Sequence, residues 1–256
     1  MQQFYWKTIG NGNVNIVLLN GWGFNSEIWF FIIKKLNNIF KFHLIDLPGI
    51  GVNRHIDPMK INEITSILYN NMKKKSIFLG WSIGGLIANQ FAMSYPERVL
   101  GIINVASSPC FTKKKKWPGI EKEKIFYFYK NLTKNYYETI INFLYIQMMG
   151  LKNPPKDLNY LKKILSYAEQ PNNKSLKNGL EILLSTDLRY EKNIFKFPFL
   201  RIYGSLDILV SKKICKILDE KWPDSSSIVI EKAAHAPFIS HKEKFCSIIL
   251  KFIKSL

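Results

Sequence analysis

Cysteine is nearly absent. The 256-residue chain has three, Cys110, Cys215 and Cys246. The number is odd and the spacing scattered, so no disulfide framework is expected, and the reading is a reducing compartment, the cytoplasm. Long apolar runs are also missing: none approaches the ~18 to 20 residues that a membrane span needs. The opening MQQFYWKTIGNGN has no basic segment followed by an apolar one, so no secretory leader is expected. Acid is in short supply, with 19 Asp+Glu against 37 Lys+Arg and a net charge of +18. Arginine is scarcer still. Arg54, Arg98, Arg189 and Arg201 are the only four, so 33 of the 37 basic residues are lysine. A nucleic-acid binder would draw on the planar fork of arginine for phosphates and base edges. Lysine, asparagine and isoleucine share A/T-rich codons and are all abundant here, so compositional drift explains the charge and no nucleic-acid partner is expected. What remains is an ordinary globular composition, 47% hydrophobic and 22% charged, which supports a sizeable core and excludes a disordered chain.

Short apolar runs bounded by turn residues come first. Asn15–Leu19, Phe42–Ile45, Ser76–Leu79 and Val99–Val105 read as buried strands. Helical stretches lie between or after them, notably Gly84–Ser94, which stops before Tyr95-Pro96. Strands alternating with helices imply a mostly parallel sheet with helices on both faces. From Phe111 to about Leu184 the pattern changes to helices alone: Glu121–Asn131, Tyr136–Met149, Leu158–Ala168 and Leu176–Leu184, broken at Gly150 and Asn153-Pro154-Pro155. Strands resume at Phe199–Tyr203 and Ser227–Ile230, and an amphipathic helix covers Lys242–Ile253. The expected layout is an α/β core over residues 1–110, a helical lid insertion over 111–185, and the completion of the core over 186–256. An insertion at that point sits over the C-terminal edge of the strands, where open α/β sheets bind ligands.

Gly80-Trp81-Ser82-Ile83-Gly84 is a G-x-S-x-G pattern between an apolar strand and a helix. A nucleophile on such a tight turn stands clear of the sheet, and the helix start offers free N–H groups to a developing oxyanion. Serine needs a base. Of the four histidines, His43 lies inside a strand, His55 follows a loop, and His241 starts the terminal helix and reads as exposed. His235 lies in Ala233-Ala234-His235-Ala236 just after the last strand, where catalytic loops gather. Asp207 follows the strand Phe199–Tyr203, and the order Ser82, Asp207, His235 is that of α/β-hydrolases; Asp46 and Asp187 lack that position and order. The oxyanion donors expected are the N–H of Ile83 and that of Trp22, in Asn20-Gly21-Trp22-Gly23 after the first strand. Gly49-Ile50-Gly51 lacks the third glycine of a dinucleotide fingerprint. His and Cys show no metal-ligand spacing. No metal is therefore expected. The helical block is rich in Phe and Tyr, from Phe126 to Tyr145, which reads as packing on one helix face and a pocket for an acyl chain on the other.

The sequence resembles the pimeloyl-[acyl-carrier protein] methyl ester esterase family of the α/β-hydrolases almost end to end. Its most specific pieces are GNVNIVLLNGWGFNSEIW, LIDLPGIG, LGWSIGGLIANQ, NVASSPCF, WPGI, PFLRIYGSLD and AAHAPFISH. The resemblance implies an α/β-hydrolase fold with Ser82, Asp207 and His235 as the triad and Trp22 and Ile83 as oxyanion donors. It implies further that Phe143, Leu144, Tyr145, Ile146 and Gln147 line the substrate channel. The implied reaction is cytoplasmic, cofactor-free hydrolysis of the methyl ester of pimeloyl-[acyl-carrier protein] in biotin synthesis. The implied partner is the acyl-carrier protein, with no nucleic acid and no membrane, and the enzyme is expected to be a monomer. The alternatives are a general short-chain carboxylesterase with the same residues, and a non-catalytic ligand-binding protein on a hydrolase fold. Two departures stand out. Asn20 takes the place of the family's His before Gly-Trp. The family also holds its acidic carrier with arginines on the insertion, whereas residues 111–170 contain none; they carry 12 lysines against 5 acids. Those 60 residues have about twice the charge density of the rest, which suits steering of an acidic carrier.

Overall fold

The computed structural model describes residues 4–152, 154–167, 170–190 and 197–256. The elements run β1 Trp6–Ile9, β2 Val14–Leu19, α1 Phe30–Leu36, β3 Phe40–Ile45, α2 Ile61–Asn71, β4 Ser76–Trp81, α3 Ile83–Ser94 and β5 Val99–Val105. Four helices follow: α4 Lys122–Lys134, α5 Tyr136–Gln147, α6 Pro154–Tyr167 and α7 Asn173–Ser185. The chain then forms β6 Phe199–Gly204, α8 Ile214–Lys221, β7 Ser225–Ile230, the single turn α9 Pro237–Ser240 and α10 Lys242–Lys254.

The seven strands form one sheet in the order β1-β3-β2-β4-β5-β6-β7. Every neighbouring pair is parallel except β1 with β3. All six residues of β4 are buried, as a central strand covered on both faces requires. Side-chain alternation splits the core in two. Val17, Leu19 and Phe78 face one layer with Leu86, Phe91 and Leu218 of α3 and α8. Ile16, Leu18 and Ile77 face the other with Ile33 of α1 and Phe245 and Ile249 of α10. The four-helix block straddles both layers. Ile125 of α4 and Leu176 of α7 extend the first, and Leu144 of α5 and Leu161 of α6 extend the second.

Where the sequence shows a long apolar run, strand and helix match within a few residues. Five elements give no clear sequence signal, one of them the single turn α9. β1 is four residues long and half-exposed at the sheet edge, and α1, α2 and α8 are short or partly exposed helices. Pro154 and Pro155 do not break the helical block; they open α6, because proline is tolerated in the first turn, where the N–H has no partner in any case. The expected end of that helix, Ala168, and Asn153 lie outside the described residues. No described helix is long and apolar enough to cross a membrane.

Candidate active site

Three strand ends at one edge of the sheet set the geometry. Ser82 sits between β4 and α3 with φ 56° and ψ −120°, a backbone conformation that costs a non-glycine residue on the order of 1 to 3 kcal/mol. The turn survives because its neighbours yield. A Cβ on Gly84 would lie 2.2 Å from the Leu19 carbonyl oxygen, and one on Gly80 would lie 2.4 Å from the Gly84 carbonyl carbon. The Ser107 hydroxyl donates to the Ser82 carbonyl at 2.7 Å and ties the turn to the end of β5.

His235 follows β7 and Asp207 follows β6. The structure brings both to Ser82. His235 Nε2 lies 3.1 Å from Ser82 Oγ, and Nδ1 lies 2.8 Å from Asp207 Oδ2. Asp207 Oδ1 accepts the N–H groups of Leu209 at 2.9 Å and Val210 at 3.0 Å. With both carboxylate oxygens engaged as acceptors, the Nδ1 proton points at Asp207. Nε2 is then left to take the serine proton. The main chain of His235 is held as well: its N–H donates to the Gln147 carbonyl at 3.2 Å, and the Trp81 indole N–H donates to its carbonyl at 2.8 Å. Among the described residues the backbone N–H groups of Trp22 and Ile83 make no hydrogen bond. An anion held between them would find two unspent donors.

Asn20 is fully buried and faces away from the cavity. It donates to the Ile45 carbonyl at 3.1 Å and accepts the Trp29 indole N–H at 2.8 Å. It therefore fixes the loop that carries Trp22 without reaching a substrate. His43 is on β3 and His55 beyond it. His241, read as exposed from sequence, is half-buried and sits 2.9 Å from the Ser240 hydroxyl, because the turn α9 folds the chain back before α10 begins. Asp187 pairs with Arg189 at 2.7 Å, which pulls its carboxyl below the usual range, and it takes no part in the cluster. Asp46 likewise stays with Ser26 and Val52.

Ser82 and His235 lie at the floor of a cavity of about 600 Å³. Its walls are Trp22, Phe111, Ile125, Phe128, Phe143, Leu180 and Leu183. Trp22 packs edge-to-face on Phe128 and Phe143, with ring centroids 5.3 and 5.5 Å apart, and its indole N–H donates to the Leu176 carbonyl at 2.9 Å. One indole thus touches both the core and the helical block. Of the segment 143–147, Phe143 and Ile146 line the cavity. Leu144 is instead fully buried in the second core layer, Tyr145 is 52% exposed on the outer surface, and Gln147 reaches His235 through its main chain. A helix turns 100° per residue, so positions i and i+3 share a wall and those between them do not. The same spacing in Ile125/Phe128 and Leu180/Leu183 was the available signal for the other wall residues. Sequence reading did not single out Trp81 and Ser107, whose side chains donate to the main-chain carbonyls of His235 and Ser82. No described cluster of His, Cys, Asp or Glu could hold a metal ion.

The arrangement of hydroxyl, imidazole, carboxylate and two free N–H groups is equipped for acyl transfer through a covalent serine ester. Comparison with known proteins agrees. Residues 14–242 match the family described as alpha/beta hydrolase fold. Pimeloyl-[acyl-carrier protein] methyl ester esterase of Salmonella newport (strain SL254) is 43% identical over 256 residues, the whole of both chains. The enzyme of that name from Yersinia pseudotuberculosis serotype IB (strain PB1/+) is 42% identical over 252 residues, 98% of each. Among solved structures, an esterase from Exiguobacterium antarcticum superposes with a TM-score of 0.86 at 19% identity, over 99% of this chain and 100% of that one. The enol-lactonase of Burkholderia xenovorans LB400 gives 0.83 at 17%, over 98% and 96%. At such identities the likeness is one of fold.

Proposed function

This chain belongs to the pimeloyl-[acyl-carrier protein] methyl ester esterases of the α/β-hydrolase fold, and we propose that it cleaves that methyl ester through Ser82, His235 and Asp207. The observation that carries the assignment of roles is the unbroken chain of short contacts from Ser82 Oγ through the imidazole to Asp207 at the floor of an apolar cavity.

Ser82 Oγ attacks the ester carbonyl carbon as Nε2 of His235 takes its proton. The carbonyl oxygen becomes an oxyanion and settles between the N–H groups of Trp22 and Ile83. Collapse breaks the bond to methoxide, and the imidazolium returns its proton to give methanol. A water molecule then gives a proton to Nε2 and its oxygen attacks the acyl-serine. The second collapse breaks the bond to Oγ, and the imidazolium reprotonates it, releasing the free carboxylic acid. Asp207 stays ionised and holds the imidazolium in register. Residues 111–185 act as the lid whose apolar faces hold the acyl chain, which is uncharged along its methylenes and needs no polar partner there. The lysine-rich lid also attracts an acidic carrier protein. Three free and buried cysteines fit a reducing cytoplasm.

The test is methanol release from pimeloyl-carrier-protein methyl ester beside a short free ester, each measured over a range of ionic strength. Preference for the carrier-linked ester, weakening with salt, supports the reading. Equal, salt-independent turnover of both overturns it. Ser82→Ala is expected to lose several orders of magnitude in rate.

A further inference from the structure

One side of the cavity is a loop. Phe111, Lys113, Pro118, Gly119, Ile120 and Glu121 line the same space as Ser82, and all lie between β5 and α4. The backbone of this loop is paired by two isolated bridges, Thr112 with Ile120 and Lys114 with Trp117. Such a wall needs support from its side chains. Trp117 supplies it by packing into the first core layer, where its indole N–H donates to the Cys110 carbonyl at 2.9 Å.

The face of that indole is held from the other end of the lid. The Arg189 guanidinium carbon lies 5.2 Å from the centroid of the Trp117 ring and 4.8 Å from that of Tyr190, and Arg189 is buried. A cation within about 6 Å of an aromatic centroid is attracted to the ring, the more so when water is excluded. Asp187 fixes the plane of the guanidinium with both carboxylate oxygens: Nε donates to Oδ1 at 2.8 Å and Nη2 to Oδ2 at 2.7 Å. The Leu188 N–H donates to the Pro109 carbonyl at 2.8 Å, so the two stems of the lid run side by side. That bond would join the stems without any help from Arg189. The guanidinium reaches further, onto the loop that makes the wall. In a chain whose basic residues are nearly all lysine, this place has arginine, and an ammonium has neither the plane to lie on the rings nor the fork to engage both oxygens.

Resting on the serine-ester chemistry proposed above, we infer that Arg189 is a positioning residue for the acyl cavity: through Trp117 it holds the 111–121 wall in the shape that accepts the chain. The wall then has a held and a released form, and only the held form binds a chain along its length. Loss of the stack lowers the held fraction, and the apparent KM rises by the same factor, while the seated complex reacts at an unchanged rate. An acetyl group stays at the floor with Ser82 and is indifferent to the wall.

The test follows methanol release from methyl acetate, methyl butyrate and methyl hexanoate, with KM and kcat measured separately. KM does not depend on how much of a preparation is folded, and kcat is referred to sites titrated with a serine-directed phosphonate. In Arg189→Lys, which keeps the charge, KM for methyl hexanoate should rise about fivefold, the size of a partly desolvated cation–π contact. KM for methyl acetate and kcat for all three esters should stay within about twofold of the native values, as expected when binding alone is weakened. Trp117→Leu should give the same gradient with chain length, and the double variant no more than either alone. Arg98→Lys is the control. It removes a guanidinium stacked 4.9 Å from the Tyr69 centroid, but just before β5, at the opposite edge of the sheet from Ser82, and should leave the gradient unchanged. An equal rise in KM for all three esters, an unchanged KM for methyl hexanoate, a fall confined to kcat, additive effects in the double variant, or the same gradient in Arg98→Lys overturns the role of Arg189. Pimeloyl-carrier-protein methyl ester is assayed alongside with the native enzyme. If the free esters are cleaved and that conjugate is not, the proposed function fails, and Arg189 is still judged on the free esters.

Discussion

Asp207→Asn isolates the electrostatic part of the triad without changing its shape. In the native site Oδ1 accepts two backbone N–H groups and Oδ2 accepts the imidazole Nδ1–H. An amide has one acceptor oxygen and one donor nitrogen. If the oxygen stays with Leu209 and Val210, the NH2 group faces Nδ1, which must give up its proton and accept. The imidazole proton then moves to Nε2, where it points at Ser82 and cannot receive the serine proton. The opposite orientation keeps the working tautomer but turns the NH2 group onto two N–H donors, one buried and one part-buried, at a cost of about 1 to 3 kcal/mol for the buried one. The first orientation therefore prevails, and the enzyme is folded with its base blocked. The expected loss in kcat is three to four orders of magnitude, about 4 to 5.5 kcal/mol of transition-state stabilisation, with little change in urea midpoint. Methanol release in single-turnover and steady-state assays measures it, and labelling by a serine-directed phosphonate should slow in parallel. Activity within tenfold of the native enzyme at neutral pH would refute the tautomer argument and the role given to Asp207.

Three further expectations test the surroundings. Burial, together with the neighbouring Lys41, holds the His43 imidazole below its usual pKa; the unfolded chain thus binds more protons below about pH 6.5, and stability falls on acidification through that range. His43→Gln should flatten the Tm difference between pH 7.5 and pH 5.5, and an unchanged difference removes His43 as its source. Leu144→Ala should cost about 2 to 5 kcal/mol in urea unfolding and spare acyl chain-length preference, whereas Phe143→Ala should alter that preference; the reverse result would mean that α5 is rotated from the position described. Gly84→Ala forces its Cβ to within 2.2 Å of a backbone oxygen, so it should abolish soluble folded enzyme or displace Ser82 enough to remove activity, as circular dichroism and phosphonate labelling would show.

The sheet was legible wherever burial makes a run apolar on both faces. β4 and β5 announce themselves as SIFL and VLGIINV, but β1 reads WKTI, is half-exposed, and pairs at an edge where one face is wet. The candidate cluster was legible because glycines, small residues and chain order mark the loops that carry Ser82, Asp207 and His235. The cavity wall was legible only in part. A contiguous stretch such as Phe143–Gln147 suggests a lining, but the helical turn hands alternate residues to different layers, and only Phe143 and Ile146 face the cavity. Contacts made through main-chain atoms left no trace in the sequence. The carbonyl of Gln147 would hold His235 whatever side chain it bore, and the bond from Trp81 depends on a loop closing 154 residues further on.

The bond from the His235 N–H to the Gln147 carbonyl makes α5 a shared hinge-pin. The helix whose Phe143 bounds the acyl space also latches, at its last residue, the segment bearing the imidazole. A displacement of α5 that parted them would therefore move the wall of the acyl space and loosen the seat of the imidazole in one step.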